Sequence, residues 1–290
     1  MPIIDVFLGE DRIYTDVSGV RQLLAFYTNC QKYFGEVICI RLDNTQWLDG
    51  NLCALLGGLL FRLNKENGLT FSIDARQVSD KFRVLFNNDF LRIEQNTSQY
   101  KKSTCMPFKG FLPKQKDEFY KYLENDLLAH QAMPKLKEDI KEKLIDDLTE
   151  VYANIDKHAE TADPFFVCGQ FFSKREAINF TISDLGVGFF KKINEKQPEK
   201  VKNSGDAILW AIAGNSTKPD APGGRGLKNL YDYLDNNHGG MQIYTGENGW
   251  CSKTMKTSEL FKNGITELRN NYSGAVINLE FNKKSLTSEK

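Results

Sequence analysis

"DDLTEVYANIDKHAE", residues 146–160, decides how the second half of the chain is read. Leu148, Val151 and Ile155 recur at steps of three and four, the period of a helix with one buried side. Upstream the stripe continues through Leu136, Ile140 and Leu144, so a helix is expected from 134 to 160, with Pro134 in its first turn. Beside the stripe stand Glu150, Asn154 and His158 at steps of four, with Lys157 next to them. Polar residues at i, i+4 are ordinary on a solvated helix face. The same residues supply a carboxylate able to hold or activate water, an amide oxygen suited to a hard cation, and a basic group for a phosphate. The stretch alone leaves both readings open.

Two later stretches bear on the choice. In "FTISDLGVGF", residues 180–189, an alternating strand ends at Asp184, followed by Gly186 and Gly188. Glycines there let the backbone approach a flat ligand, and the carboxylate can accept a hydrogen bond from an exocyclic amine. A plain Asp-Gly turn gives the same letters. In "APGGRGLKNL", residues 221–230, glycines lead into a helix start, where free amides and the helix dipole favour an anion. Neither GxxxxGK[ST] nor GxGxxG is present.

Order and spacing connect the three. A helix with ExxxN, a strand ending in DxGxG and a GxGL helix entry together resemble the GHKL ATP-binding superfamily of histidine kinases, anti-sigma-factor kinases, gyrase and related ATPases. The resemblance covers roughly residues 117–282. It implies Mg2+ held by Asn154 and an ATP triphosphate met by Lys157 or His158. It implies Glu150 as the general base of the hydrolysing members, and Asp184 on the adenine amino group with Gly186 and Gly188 beside the purine. Gly224, Arg225, Gly226 and Leu227 correspond to the second glycine box, whose backbone amides meet phosphates. The segment between Gly188 and Gly223 corresponds to a mobile ATP lid, within which Thr217 and Lys218 are candidates to approach the nucleotide. Gly274-Ala275 stands where kinase-like members often have Gly-Thr, so the hydroxyl of the usual water-mediated adenine contact is absent there. His130, at a helix end in "LLAHQAMP", reads as a capping or surface residue, and no long helix with a phosphoacceptor His precedes the domain.

The first 95 residues alternate strands and helices, which points to a parallel or mixed sheet. "IIDVFLG", "EVICIRL" and "LTFSID" read as strands. "VSGVRQLLAFYTNCQKYF" and "LDGNLCALLGGLLFRLNKENG" read as helices, the second capped by Asp49 and stopped by Gly68. The region resembles a STAS domain, the anti-sigma-factor-antagonist fold. Its turn "WLDGNLCALL" keeps Asp49 but has no Ser or Thr, so the phosphorylatable hydroxyl is missing. The expected organisation is therefore two domains, α/β and α+β in class. A STAS-like α/β domain spans 1–95, an aperiodic linker with Pro107, Gly110 and Pro113 spans 96–116, and a two-layer α/β sandwich of the GHKL type, with a mixed sheet, spans 117–290. No role is readable for 252–272.

Lys plus Arg and Asp plus Glu both number 38, so bulk charge gives no pull toward nucleic acid or an anionic membrane. Six cysteines form no CxxC pair, and several sit in apolar runs, as expected of reduced, buried thiols. No basic-then-apolar leader and no bilayer-length apolar run is present, so a cytoplasmic protein is expected. The expected function is an ATP-binding regulatory protein that binds Mg-ATP and hydrolyses it slowly to switch its interaction with a protein partner; a homodimer is left open. The alternatives are an anti-sigma-type Ser/Thr kinase acting in trans and a non-catalytic nucleotide-binding module.

Overall fold

A computed structural model of the chain describes residues 3–78, 80–91, 104–133, 135–215, 225–252 and 264–283. In the first part, β1 (Ile3–Phe7), β3 (Val37–Arg41) and β5 (Thr70–Ser72) form a parallel sheet in the order β1-β3-β5. Parallel neighbours need crossovers, and α1 (Val17–Cys30) and α2 (Cys53–Asn67) supply them. The Asp16 carboxylate accepts the Gly19 N–H at 2.9 Å and starts α1, while Gly68, at φ +66°, stops α2. A second parallel pair, β2 (Asp11–Ile13) with β4 (Thr45–Leu48), is too short to show an alternation in sequence. The short α3 (Val84–Asn87) follows.

Asp49 does not cap α2 as expected. A 3-10 turn, Gly50–Leu52, intervenes, and the Asp49 side chain makes no cap bond to it. Its carboxylate accepts instead from the Thr15 N–H (2.7 Å), the Thr15 hydroxyl (2.8 Å) and the Trp47 indole N–H (2.7 Å). Those bonds satisfy a carboxylate that is almost fully buried, and burial raises its pKa.

The second part comprises β6 (Cys105–Phe111), α4 (Lys116–Tyr122) running into a π-helical turn (Leu123–Leu128), α5 (Glu138–His158), β7 (Phe165–Phe172) and β8 (Ala177–Asp184). Then come α6 (Gly188–Lys196), α7 (Ser204–Ile212), α8 (Gly226–Asn236), β9 (Gly240–Cys251) and β10 (Ile265–Asn282). The five strands form one sheet, β6-β7-β8-β10-β9. Every pair is antiparallel, so the sheet is not mixed. A four-residue turn joins β7 to β8, and β10 enters between β8 and β9 running opposite to both. Strand β6 falls within the segment read as a linker. It is an edge strand, where proline is tolerated, and a register shift between Met106 and Lys109 accommodates Pro107. Helix α5 begins at Glu138, later than expected, and Pro134 lies outside the described residues.

Period-two alternation gives the five-stranded sheet two different faces. One is apolar: the paired row Val167, Ile182, Ile277 and Ile243 joins Phe180, Leu279 and Met241 in a core shared with α5 and α8. The other carries Cys168, Thr181, Asn278 and Gln242 in one row and Gln170, Asn179 and Glu280 in the next. Helix α1 lies along β10, and α2 along β7 and β8, so the N-terminal part covers this second face. Leu55, Leu56 and Leu59 share a core with Phe166, Cys168 and Val276. Polar bonds cross the same boundary. The Gly50 N–H donates to Gln170 Oε1, and Asn51 Nδ2 to Thr181 Oγ1 (2.9 Å) and Asn278 Oδ1 (3.2 Å). Gln242 Nε2 donates to the Thr15 carbonyl at 3.2 Å. The molecule is thus a mixed α/β structure in which the five-stranded sheet has helices on both sides. No helix among the described residues is long and apolar enough to cross a membrane. All six cysteines are unpaired, and all but the half-buried Cys39 are buried.

Candidate functional site

Helix α5 packs Leu144, Ile145, Leu148, Val151 and Tyr152 onto the apolar sheet face. That orientation leaves Asp147, Glu150 and Asn154, at i, i+3 and i+7, along the next stripe. Asn154 is half-buried there. Glu150 meets the start of α8: a Cβ added to Gly226 would stand 2.8 Å from the Glu150 carboxylate oxygen Oε2 and 2.9 Å from the Asp147 carbonyl. Only glycine allows this approach. Asn229, one turn into α8, donates to Asp147 Oδ1 at 2.9 Å and pins the two helices together. No side chain caps α8, and a carboxylate beside a helix N-terminus is favourably placed. Burial raises the Asp147 pKa, against the Asn229 bond, and its Oδ2 has no partner among the described residues.

At its other end α5 meets the glycine turn after β8. Val187 N–H donates to the Ala159 carbonyl at 3.0 Å, and a Cβ on Gly186 would collide with Ala159. Gly188 adopts φ +71° as α6 begins, and a Cβ there would be 2.5 Å from Thr245 Oγ1. Asp184 ends β8 and is buried. Its Oδ1 accepts the Gly186 N–H at 2.8 Å. Burial pushes its pKa up to about 6, and the Gly186 and Ala275 amides and the Arg62 charge pull the other way. The registers Asp184↔Ala275 and Ala275↔Thr245 set these three side chains in one row on the face that α5 covers. Thr245, in that row one strand beyond Ala275, carries a hydroxyl whose Oγ1 donates to the Gly274 carbonyl at 2.6 Å.

Helix α5 thus carries the Gly226 contact at Glu150 and the Gly186 contact at Ala159, about 13 Å apart along its axis, with Asn154 between. Arg225 is exposed at the N-cap position of α8, and Leu227 turns its side chain into the core, leaving only its backbone for a ligand. Gly224, Thr217 and Lys218, and the side chains of Lys157 and His158, lie outside the described residues. The stretch read as a lid contains α6 and α7. His130 is half-buried at the end of the π-helical turn, its Nδ1 accepting the Ala132 N–H at 3.2 Å and its pKa lowered by burial. Among the described residues no three His, Cys, Asp or Glu side chains converge as a metal site.

Four residues of this region escaped the sequence reading. Asp147 and Asn229 tie α5 to α8, Thr245 lies behind the glycine turn, and Arg62 reaches Leu185 from α2. Arg62 had a signal in "LLGGLLFRLN", as the one charged residue on the apolar side of its helix. Asp147 had one in its i−3 spacing from Glu150. The sequence matches no protein-family model and no curated protein.

Proposed function

We propose that this chain is an ATP-binding regulatory protein of the GHKL type, with a STAS-like N-terminal module, that binds Mg-ATP along α5 and hydrolyses it slowly to switch an interaction with a protein partner. The observation that carries the reading is the convergence of three sequence-distant stretches on one helix. The Gly226 contact at Glu150, the half-buried Asn154 and the Gly186 contact at Ala159 follow one another along α5, and on this reading the nucleotide lies along that line.

Each residue then has a stated task. The ionised Asp184 carboxylate accepts a hydrogen bond from the adenine amino group, and the glycines on either side of Val187 let the turn pack closely on Ala159 and Thr245 behind it. The first-turn amides of α8, beginning at Gly226, meet the phosphates. Asn154 offers an amide oxygen to Mg2+, which ordinarily takes one or two protein oxygens and completes its shell with phosphates and water. Bound Mg2+ supplies neutralisation of the charge that builds on the phosphates. Glu150, beside the helix start, orients a water and accepts its proton.

The turn where STAS-like switches carry their hydroxyl is Asp49-Gly50-Asn51 in this chain, and all three residues are buried against the sheet. On this reading the partner docks elsewhere on the module. Phosphate release by the wild-type chain and by Glu150→Ala tests the reading. Mg2+-dependent release that falls by about 10²-fold or more in the variant is expected. Transfer of the γ-phosphate to a protein without free phosphate would assign the kinase alternative instead.

A further inference from the structure

Helix α2 buries one arginine. Leu55, Leu59 and Leu63 are fully buried, and Arg62 beside them is 7% exposed. A guanidinium stays charged, so burying it is costly unless its donors are matched. The partners here are specific. Nη2 donates to the Leu185 carbonyl at 2.6 Å. The guanidinium lies 5.8 Å from the centre of the Tyr272 ring. Nε stands 3.7 Å from Glu66, whose own side chain is exposed.

Leu185 is the middle residue of Asp184-Leu185-Gly186, the turn that presents the candidate purine carboxylate. Tyr272, under the guanidinium, donates its hydroxyl to the Asp184 carbonyl at 2.7 Å and shares a hydrogen bond with Ser183 Oγ at 2.9 Å. The Asp184 and Leu185 carbonyls are therefore held from the N-terminal side of the sheet, while the Asp184 side chain faces the α5 side. An open cavity of about 280 Å3 separates the remainder of the turn from α2, lined by Arg62, Glu66, Gly186, Val187 and Ser273. Arg62 is the hydrogen bond that spans from the helix to the turn at its edge.

We propose that Arg62 is a positioning residue of the nucleotide site: from the N-terminal module it fixes the Asp184–Gly186 turn, so that nucleotide affinity and docking of the module are coupled. This rests on the nucleotide reading. Coupling of this kind is reciprocal, so a nucleotide that tightens the turn must also tighten the hold on α2. It also adds an electrostatic link. Among the described residues, the groups facing Asp184 are the Gly186 and Ala275 amides, Tyr272 and one cation, Arg62. Removing that cation makes the Asp184 carboxyl harder to ionise.

The test uses the full chain. ATP affinity is measured from pH 5 to 8 for wild type, Arg62→Lys and Arg62→Met, and amide exchange of 53–67 and 184–188 is followed in wild type with and without Mg-ATP. Arg62→Met is expected to bind about tenfold more weakly at pH 7. Its acid limb is expected to move above that of wild type, with Arg62→Lys restoring the limb more than the affinity. Mg-ATP is expected to slow exchange in 53–67 as well as in 184–188, and that arm decides the matter if Arg62→Met does not fold. Wild type that binds ATP with no protection of 53–67, and folded variants with unchanged affinity and pH profile, overturn the coupling while leaving the site. Wild type that does not bind ATP overturns the site and the coupling with it.

Discussion

The two faces of the five-stranded sheet do different work. Toward α5 and α8 the face is apolar through its central rows, with Val167, Ile182, Ile277 and Ile243 across one of them. Toward α1 and α2 it carries Thr181, Asn278, Gln242, Gln170 and Asn179, all buried. An apolar face takes a helix wherever shapes fit, and its strength scales with the area covered. A polar face takes a cover only where its donors and acceptors are matched, because an unmatched buried group costs free energy. The first face supports the helices that present Glu150 and Asn154. The second fixes how the N-terminal module sits, through Asn51, Gly50 and Arg62.

That contrast can be broken from either side. Phe180→Ala in the apolar face should cost about 3–5 kcal/mol in urea unfolding; a loss under 1 kcal/mol would mean that this face is not the main core. Asp184→Asn should act in the opposite direction. The wild-type carboxyl, with its pKa near 6, binds its proton more tightly in the native state than in the unfolded chain. Its contribution is complete below about pH 4 and is lost as pH rises through about 6. The asparagine keeps the acceptor for the Gly186 N–H without the charge. Its stability advantage over wild type should therefore grow between pH 4 and 6 and reach roughly 3 kcal/mol at pH 7. An advantage that does not change with pH would show that Asp184 is not shifted.

Smaller effects test the polar face. Asn51→Ala removes the donors to Thr181 and Asn278 and should cost about 1–3 kcal/mol, with faster amide exchange in α2 than in α5. Equal acceleration of both helices would mean that the two faces unfold as one. Asn179 is the sharpest case, since neither atom of its amide has a partner among the described residues although it is fully buried. Asn179→Leu should be neutral or stabilising by up to about 1 kcal/mol, because it removes polar atoms that gain nothing in the fold. A loss above 2 kcal/mol would show that the amide is matched.

Much of this architecture was legible in the sequence. β-branched and aromatic alternation marked β7 and β8, the stripe from Leu144 to Ile155 marked α5, and Gly68 marked the end of α2. The glycines after Asp184 and before Leu227 read in the sequence as ligand contacts, and in the fold Gly186 and Gly226 stand where a Cβ would collide with Ala159 and Glu150 of the chain itself. What was hidden depends on pairing between distant segments. Strand β6 was masked by Pro107, and its place at the sheet edge comes from β7, some sixty residues away. Asp49 read as a helix cap because a local rule suffices for that, whereas its partner Thr15 lies 34 residues earlier. Covering of the second sheet face by α1 and α2 could not be read from either half alone, although Thr181, Asn179 and Asn278 inside strong strands were the trace it left.

The most direct test of the nucleotide reading is the melting temperature of the full chain with and without millimolar ATP and Mg2+, in wild type and Asn154→Ala. A ligand that binds the native state must stabilise it, by about 2.7 kcal/mol at a hundredfold excess over Kd. Wild type should melt several degrees higher with Mg-ATP, and chelation of the metal and Asn154→Ala should each remove most of that rise. A wild-type melting temperature unmoved by Mg-ATP would contradict the reading, since no nucleotide would then lie along α5.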